Sequence, residues 1–462
     1  MSELTRELAE WSKKTTYESL PEEVREKIKY CMLDAAGVAL AAVNGEVGQT
    51  FRSLLPEIGG PGPCTVLGSP ECWNPLTAAL VNGSLGHALD YDDTYQAVPV
   101  HTSGSLLAAS LAVAERQKAS GKELIRGMAL GTEVAIRIGL ALGRSHVDKG
   151  WHGTGTFNTF GGATAAGTLL NLSEKQMITC LGTAAVQATG LLRAAAGTMC
   201  KPLHAGKAAM NGILSGLLAS KGHWTAPEGV LEMRNGFAAL FSERPQMEEG
   251  LKGLGKDFYL LNTSFKISAS CSQTQATIDG IHELKSKHGI DPESVEEIRL
   301  TVNPIAGTVA GIPEPKDGYQ GKFSLAYCAS LALYGYGHFP ESFSDAMVNR
   351  PELQAACRKV KLNIVPGMGD VESGIEMRLK DGRKVSTYVP IAKGNPGNEL
   401  SQEDLKGKFN RLVEPSFGQK STQILLSTLL RCEDLEDSRK LGDLLRQASL
   451  KSAQTVCPSC AT

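Results

Sequence analysis

The sequence predicts a mainly α protein, with a large all-helical domain formed by both chain ends and a smaller α+β domain inserted between them. Three observations carry that expectation. Apolar residues recur at three- and four-residue spacing from the N-terminus to about residue 260, and again after 400. Between those stretches the pattern turns to alternation broken by turn residues. Glycine and alanine crowd the helical segments, with 50 glycines in 462 residues where ~7% is usual.

The elements follow in order. LPEEVREKIKYCMLDAAGVALAAV (20–43) reads as a helix, with Pro21, Glu22 and Glu23 suited to its first turn. Helical spacing continues through 105–120 and 121–143, and a further helix opens at Ser173, a candidate N-cap, to run to about 192. Glycine costs a helix roughly 1 kcal/mol against alanine. Its density in GGATAAGTLLNL (161–172) and GKAAMNGILSGLLASKG (206–222) therefore implies close helix–helix approach in return. From 262 the texture changes. VEEIRLTVNP (295–304) reads as a strand, FSLAYCASLALYGYG (323–337) as a helix, and 374–391 as a hairpin turning at Asp381-Gly382. Helical spacing returns at 401–413 and 421–447. The expected division is 1–261 and 399–462 for the helical domain and 262–398 for the α+β insertion, with a cleft between them suited to a small ligand.

Composition narrows the function. A net charge of −2 and the absence of any basic block argue against nucleic acid as a partner. No apolar run reaches the ~18 residues that span a bilayer, so no membrane partner is expected. The charged, acidic start is unlike a signal or transit peptide. Eleven scattered cysteines suit reduced thiols better than a disulfide framework. A cytoplasmic location is the expectation, with a mitochondrial one still open. CPSC (457–460) has the spacing of half a zinc site but lacks a second pair.

Four polar constellations stand out. In HALDYDDTYQAVPVH (87–101), three aspartates sit between two histidines, flanked by small apolar residues. A helix through 85–95 would put His87, Asp90 and Thr94 on one face, with Pro99 ending it before His101. An Asp-Asp pair ordinarily marks a solvated face. In apolar surroundings it needs cations, hydrogen bonds or a chemical purpose. A metal is the rival reading, but the spacing matches no stringent metal motif. GWHGTGTFNTFGG (150–162) sets His152 among glycines and threonines, without a dinucleotide fingerprint. GTMCKPLHAGKAA (197–209) puts Lys201 at the start of a helix with Pro202 at its first position. Backbone N–H groups and an ammonium there would receive a carboxylate, with His204 one turn on. NTSFKISASCSQ (262–273) brings Lys266 and Cys271 to the domain junction.

In this order the four segments, together with GVLEMRNGFAALF (229–241), resemble the MmgE/PrpD family, which includes 2-methylcitrate dehydratase, cis-aconitate decarboxylase and iminodisuccinate epimerase. The resemblance spans nearly the whole chain. It implies a large helical domain, a smaller lid domain, a homodimer, and activity without a metal or organic cofactor. It also implies that Asp90, Thr94 and His101 correspond to the family's acidic/histidine motif, His152 to its second histidine, Lys201 to its KPLH lysine and Lys266 to its junction lysine. Cys271 and Gln275 depart from the pattern, since histidine follows the junction lysine in the decarboxylases.

The chemistry fits the residue types. Proton removal beside a carboxylate builds negative charge, which Lys201, Lys266 and His152 would stabilise. His101, whose ordinary pKa is near neutrality, is the expected proton-transfer group, with Asp90 orienting a histidine or holding a proton. The catalytic candidates are thus His101, Asp90, His152 and Lys201. Thr94, Lys266, His204 and Cys271 are the substrate-binding candidates. The expected activity is that of a cofactor-independent lyase removing water or CO2 from a small di- or tricarboxylate. The alternatives are a dicarboxylate epimerase or a catalytically silent scaffold.

Overall fold

The computed structural model describes residues 3–455; the CPSC run lies outside them. Helices dominate, in agreement with the mainly α expectation. The expected helices form at Glu22–Ala42, Ser103–Gln117, Gly121–Leu142 and Glu174–Ala185, the last opened by a reciprocal capping box between Ser173 and Gln176. The helices Pro75–His87, Ser103–Gln117, Gly153–Leu169 and Cys200–Ser220 pack on one another through glycine. A Cβ on Gly206 would meet the Leu80 carbonyl at 2.0 Å, and one on Gly212 would meet the Gly162 carbonyl carbon at 2.5 Å. Here the cost of helical glycine is offset by backbone approach that any side chain would block.

Two buried apolar clusters result. The first draws on residues 4–265 and on 405–448, so both chain ends build it. The second lies mostly within 269–392, around a four-stranded sheet. Strand Val295–Val302 runs parallel to Val360–Ile364 and antiparallel to Ser373–Leu379, which pairs with Lys384–Val389. Helices Gln275–His288 and Leu325–Tyr334 pack against this sheet. Ser373–Leu379 alternates between buried and half-buried positions, as a strand covered on one face must. Gly382 has φ +87° at the hairpin turn.

Several local expectations are corrected. The helix expected over 85–95 stops at His87, and Asp90 adopts left-handed φ 50°. The Cys200–Ser220 helix begins before Pro202, which is its third residue. The 421–447 stretch divides into Gln419–Leu430 and Arg439–Thr455, because the intervening chain docks elsewhere: Leu435 O accepts from Gly121 N (2.8 Å) and Ser438 N donates to Ala119 O (2.8 Å). The pairing of Pro61–Thr65 with Cys72–Trp73 and the edge strand Val360–Ile364 were not expected; the latter is mostly exposed, with Val360, Leu362 and Ile364 alternating with Lys361 and Asn363. Among the described residues, no single helix is long and apolar enough to cross a membrane, and the cysteines are free thiols.

Candidate functional site

The Pro75–His87 helix delivers the acidic run to the interior. Asn74 caps its start, accepting from Leu76 N and Thr77 N at 3.0 Å each. Beyond His87, Thr94 forms a reciprocal bridge with Ser264 (2.9 and 2.8 Å), which sets the 262–273 stretch beside the aspartates. All three carboxylates are buried, and each has a distinct set of partners. Asp90 receives Lys266 Nζ at 2.5 Å on Oδ1 and faces Lys201 Nζ at 3.4 Å on Oδ2. Asp92 accepts from His87 Nδ1 at 2.8 Å. Asp93 accepts from Ser103 N (3.0 Å), Ser103 Oγ (2.5 Å) and Thr102 Oγ1 (3.1 Å), anchoring the helix that follows.

These environments separate the acids. Burial alone would raise Asp90, but Lys201 and Lys266 overcome it and hold its carboxyl well below the usual range. Asp92 is also lowered: burial opposes this, and His87 and His101 outweigh it. Among the described residues Asp93 has no cation paired with it, and burial pushes it up to about 7.

The imidazoles are oriented by their second nitrogens. His101 Nδ1 lies 2.8 Å from the Asp93 carbonyl, which can only accept, so Nδ1 carries hydrogen and a neutral ring leaves Nε2 bare. Thr94 Oγ1 lies 3.0 Å from the same Nδ1. His101 N donates to Thr154 Oγ1 (3.1 Å) at the start of the Gly153–Leu169 helix. His87 Nδ1 donates to Asp92, so its Nε2 accepts from Lys201 Nζ at 2.7 Å. His152, at the N-cap of Gly153–Leu169, pairs Nδ1 to Nδ1 with His204 at 3.0 Å. Burial, reinforced by Lys266 and Lys201, keeps His101 well below its ordinary value. His152 is also held well below, by burial and then Lys201.

Asp90, Thr94, His101, His152, Lys201 and Cys271 line one cavity of about 60 Å³, room for a few waters. Its other wall is apolar, from Val147, Leu192, Ile305, Val309 and Phe323. Lys266 and His204 stand behind the lining, Lys266 bonded to Asp90 and His204 to His152. The Cys271 thiol is raised by burial and then by Asp90, so it is a neutral group in the wall. Gln275 turns its amide to the backbone of Ser268 and Ser270. A larger cleft of about 880 Å³ adjoins the site, with Ala88, Leu89, Thr198 and Met199 in its walls, but Glu46, Asp317 and Asp345 outnumber Lys322 there and suit an anion poorly.

Donor atoms of His87, His101 and His152 lie within 4.8 Å of one another, as do those of Asp90, Asp92 and His101. Either spacing would suit a metal ion. The fit is poor, because the Lys201 ammonium already occupies the His87 Nε2 lone pair and stands against Asp90. His87 and Asp92 escaped the sequence-level selection of site residues although they lie in the quoted motif. The signal for them was burial, which the small residues on both sides of the motif implied. Ser272 and Gln273 also line the cavity and carried no signal beyond their proximity to Cys271.

A helical body, a second α+β core and a small pocket where an ammonium meets imidazoles define the class by its fold and its residues. Within it, the chain belongs to the MmgE/PrpD family: the MmgE/PrpD N-terminal domain matches residues 6–250 and the MmgE/PrpD C-terminal domain residues 268–431. It is 31% identical to the cis-aconitate decarboxylase of Aspergillus terreus over 96% of each chain. Identity is 29% to that of Mus musculus, over 92% of this chain and 89% of the relative, and 28% to that of Homo sapiens, over 96% and 94%.

Proposed function

We propose that this lyase removes CO2 from a small unsaturated polycarboxylate of the aconitate class, with His101 as proton carrier. The lyase class and the aconitate-like substrate rest on near-full-length relatives that bear the name cis-aconitate decarboxylase. The mechanism rests on one observation: the bare Nε2 of His101 and the ammonium of Lys201 line the same buried cavity.

A substrate carboxylate is held by Lys201, whose protein partners are one imidazole nitrogen and a carboxylate at 3.4 Å. Lys266 keeps Asp90 ionised, and Asp90 in turn keeps Lys201 aimed at the cavity. Without a bound anion, burial and then Lys266 disfavour the protonated His101 ring. A bound polyanion supplies the negative charge that raises its pKa, so the ring takes up a proton with the substrate. The bond to the departing carboxylate breaks, and CO2 leaves. The electron pair passes into the adjoining unsaturated acid, and His101 Nε2–H delivers the proton that quenches it. The Asp93 carbonyl holds the ring in the required tautomer throughout. Because the cavity admits only a few waters, entry of a six-carbon acid requires its walls to part. Residues 262–398 supply Cys271, Ser272, Gln273, Ile305, Val309 and Phe323 to those walls, which supports their expected part as a lid.

The test is incubation of the purified chain in D2O with cis-aconitate, citrate, 2-methylcitrate and iminodisuccinate, followed by NMR. Conversion of cis-aconitate to a five-carbon dicarboxylate with one new C–D bond is expected. Water loss from a citrate, or deuterium exchange without net loss on iminodisuccinate, would replace this reading with dehydration or epimerisation. Silence on all four would favour the scaffold.

A further inference from the structure

The left-handed turn at Asp90 is held from outside the cavity. Four consecutive carbonyls each accept from a different side chain: Ala88 O from the Tyr319 hydroxyl (3.2 Å), Leu89 O from Lys322 (2.7 Å), Asp90 O from Lys266 (2.9 Å) and Tyr91 O from Lys408 (2.7 Å). Three of these donors are buried lysines from well-separated parts of the chain. Lys266 already belongs to the site. Lys322 and Lys408 do not line the cavity and have no part in the chemistry described above.

Each of these two lysines ties the turn to another wall of the site. Lys322 Nζ also donates to Ala269 O (3.3 Å), and Lys322 O accepts from Cys271 N (2.9 Å), so it joins Leu89 to the loop that carries Cys271. Lys408, on the Gln402–Phe417 helix, also donates to Lys266 O (3.0 Å) and sits 3.8 Å over the Tyr91 ring. Its counter-ion is Asp34 of the Glu22–Ala42 helix, at 2.6 Å. Burying ammonium groups is expensive. A turn that needed only stability would be made more simply with glycine at the left-handed position. Here the left-handed residue must be an aspartate, because its carboxylate sets Lys201 and Lys266, and left-handed backbone persists only where its surroundings over-determine it.

We propose that Lys322 and Lys408 are positioning residues: by gripping the carbonyls of Leu89 and Tyr91 they keep Asp90 left-handed and so fix the Asp90–Lys201–Lys266 triangle that receives the substrate carboxylate. Its catalytic consequence rests on the function proposed above; its geometric content does not.

The test uses the full chain with Lys322→Met, Lys408→Met and the double variant Asp34→Asn/Lys408→Met, which leaves no uncompensated carboxylate behind. Crystal structures should show Asp90 leaving its left-handed conformation and Lys266 losing Asp90. On whichever acid the wild type converts, kcat/KM should fall ~10–100-fold, as misplacement of about an ångström produces, with KM rising because the triangle receives the carboxylate, and the pH profile should shift as Asp90 loses Lys266. Folded variants with unchanged Asp90 geometry, wild-type kcat/KM and an unmoved pH profile would overturn the proposal. If the wild type is silent on every acid, the functional reading fails on its own, and the Asp90 geometry in the variants decides this one. Failure of all three variants to fold would mark both lysines as structural and also overturn it.

Discussion

Two buried ion clusters in this protein use the same parts to opposite ends. In the Gly121–Leu142 helix, Arg137 and Glu133 pair at 2.8 Å with both side chains fully buried. Arg137 spends its remaining donors on the carbonyls of Gly250, Lys252, Gly253 and Asp257, and Glu133 accepts from Tyr259 N and Leu260 N. That cluster is closed: a guanidinium with five N–H donors meets a loop that consumes them. Around Asp90 the cations are ammonium groups and the cluster is left open. Lys201 offers three donors, has two hydrogen-bond or ion-pair partners among the described residues, stands 5.5 Å from the centroid of the Phe323 ring and lines a cavity. Burial of charge therefore does not itself mark a functional site. Donor capacity left facing a cavity does.

The largest expected effect separates the two clusters by stability. Arg137→Met strands Glu133 without its cation and should cost about 3–5 kcal/mol. Urea unfolding should show the loss, while kcat per folded molecule stays unchanged. A variant with full stability but reduced kcat would erase the distinction drawn here. Lys201→Ala is the reciprocal experiment. It should lower kcat/KM by ~10²–10³-fold, the size expected when a preorganised electrostatic group is lost, while the melting temperature moves by only a few degrees. Collapse of the fold with no kinetic defect in the surviving fraction would place Lys201 with Arg137.

The open cluster was half legible in the sequence. Small residues flanking HALDYDDTYQAVPVH implied that its acids were buried, and helix-start chemistry implied that Lys201 faced an anion. The route by which the residues meet was not legible. Helical spacing predicted that His87, Asp90 and Thr94 share a face. The chain instead breaks helix at His87 and reaches Thr94 through a left-handed Asp90. That geometry is imposed by lysines that are distant in sequence, and periodicity cannot report it. The mainly α class was legible for the converse reason: apolar spacing and glycine density act locally, along single helices. Strand Val360–Ile364 did carry a signal, since VKLNI alternates apolar and polar residues, but the run is only five residues long and went unread.

Within the open cluster, His101→Gln should cut turnover by about a hundredfold with the fold intact. The glutamine amide keeps a donor near the Asp93 carbonyl but carries no exchangeable imidazole proton. Steady-state kinetics on the converted acid decides the matter, and wild-type rates would remove His101 from proton transfer. His101 is held well below its ordinary value by burial and by Lys266, so substrate binding should take up a proton. Substrate affinity should accordingly rise as pH falls from 8 toward 6, by at most tenfold per unit for one proton. Isothermal titration in buffers of different ionisation enthalpy would reveal the uptake, and its absence would mean that the proton travels with another group.

The smallest expected effect concerns another buried acid, which resembles the closed cluster without its cation. Glu115, at the end of the Ser103–Gln117 helix, accepts from Thr65 N (2.9 Å) and Thr65 Oγ1 (2.7 Å), and burial pushes it up to about 7. A Cβ on Gly442 would lie 1.9 Å from Glu115 Oε1, so the carboxyl is pressed against the backbone of the Arg439–Thr455 helix. Its folded pKa exceeds the unfolded value, so the folded state binds the extra proton. The stability this group contributes is fully present below about pH 4.5 and is lost as pH rises through about 7. Glu115→Gln keeps an acceptor for Thr65 and cannot ionise. The variant should therefore match the wild type near pH 4.5, gain on it by at most about 1.4 kcal/mol per pH unit as pH rises, and level off above about pH 7. The buried histidines impose the opposite slope on both proteins and cancel in the difference. Urea unfolding from pH 5 to 8 measures it, and a difference that stays flat would mean that Glu115 finds in the folded protein the charge compensation that Glu133 obtains from Arg137.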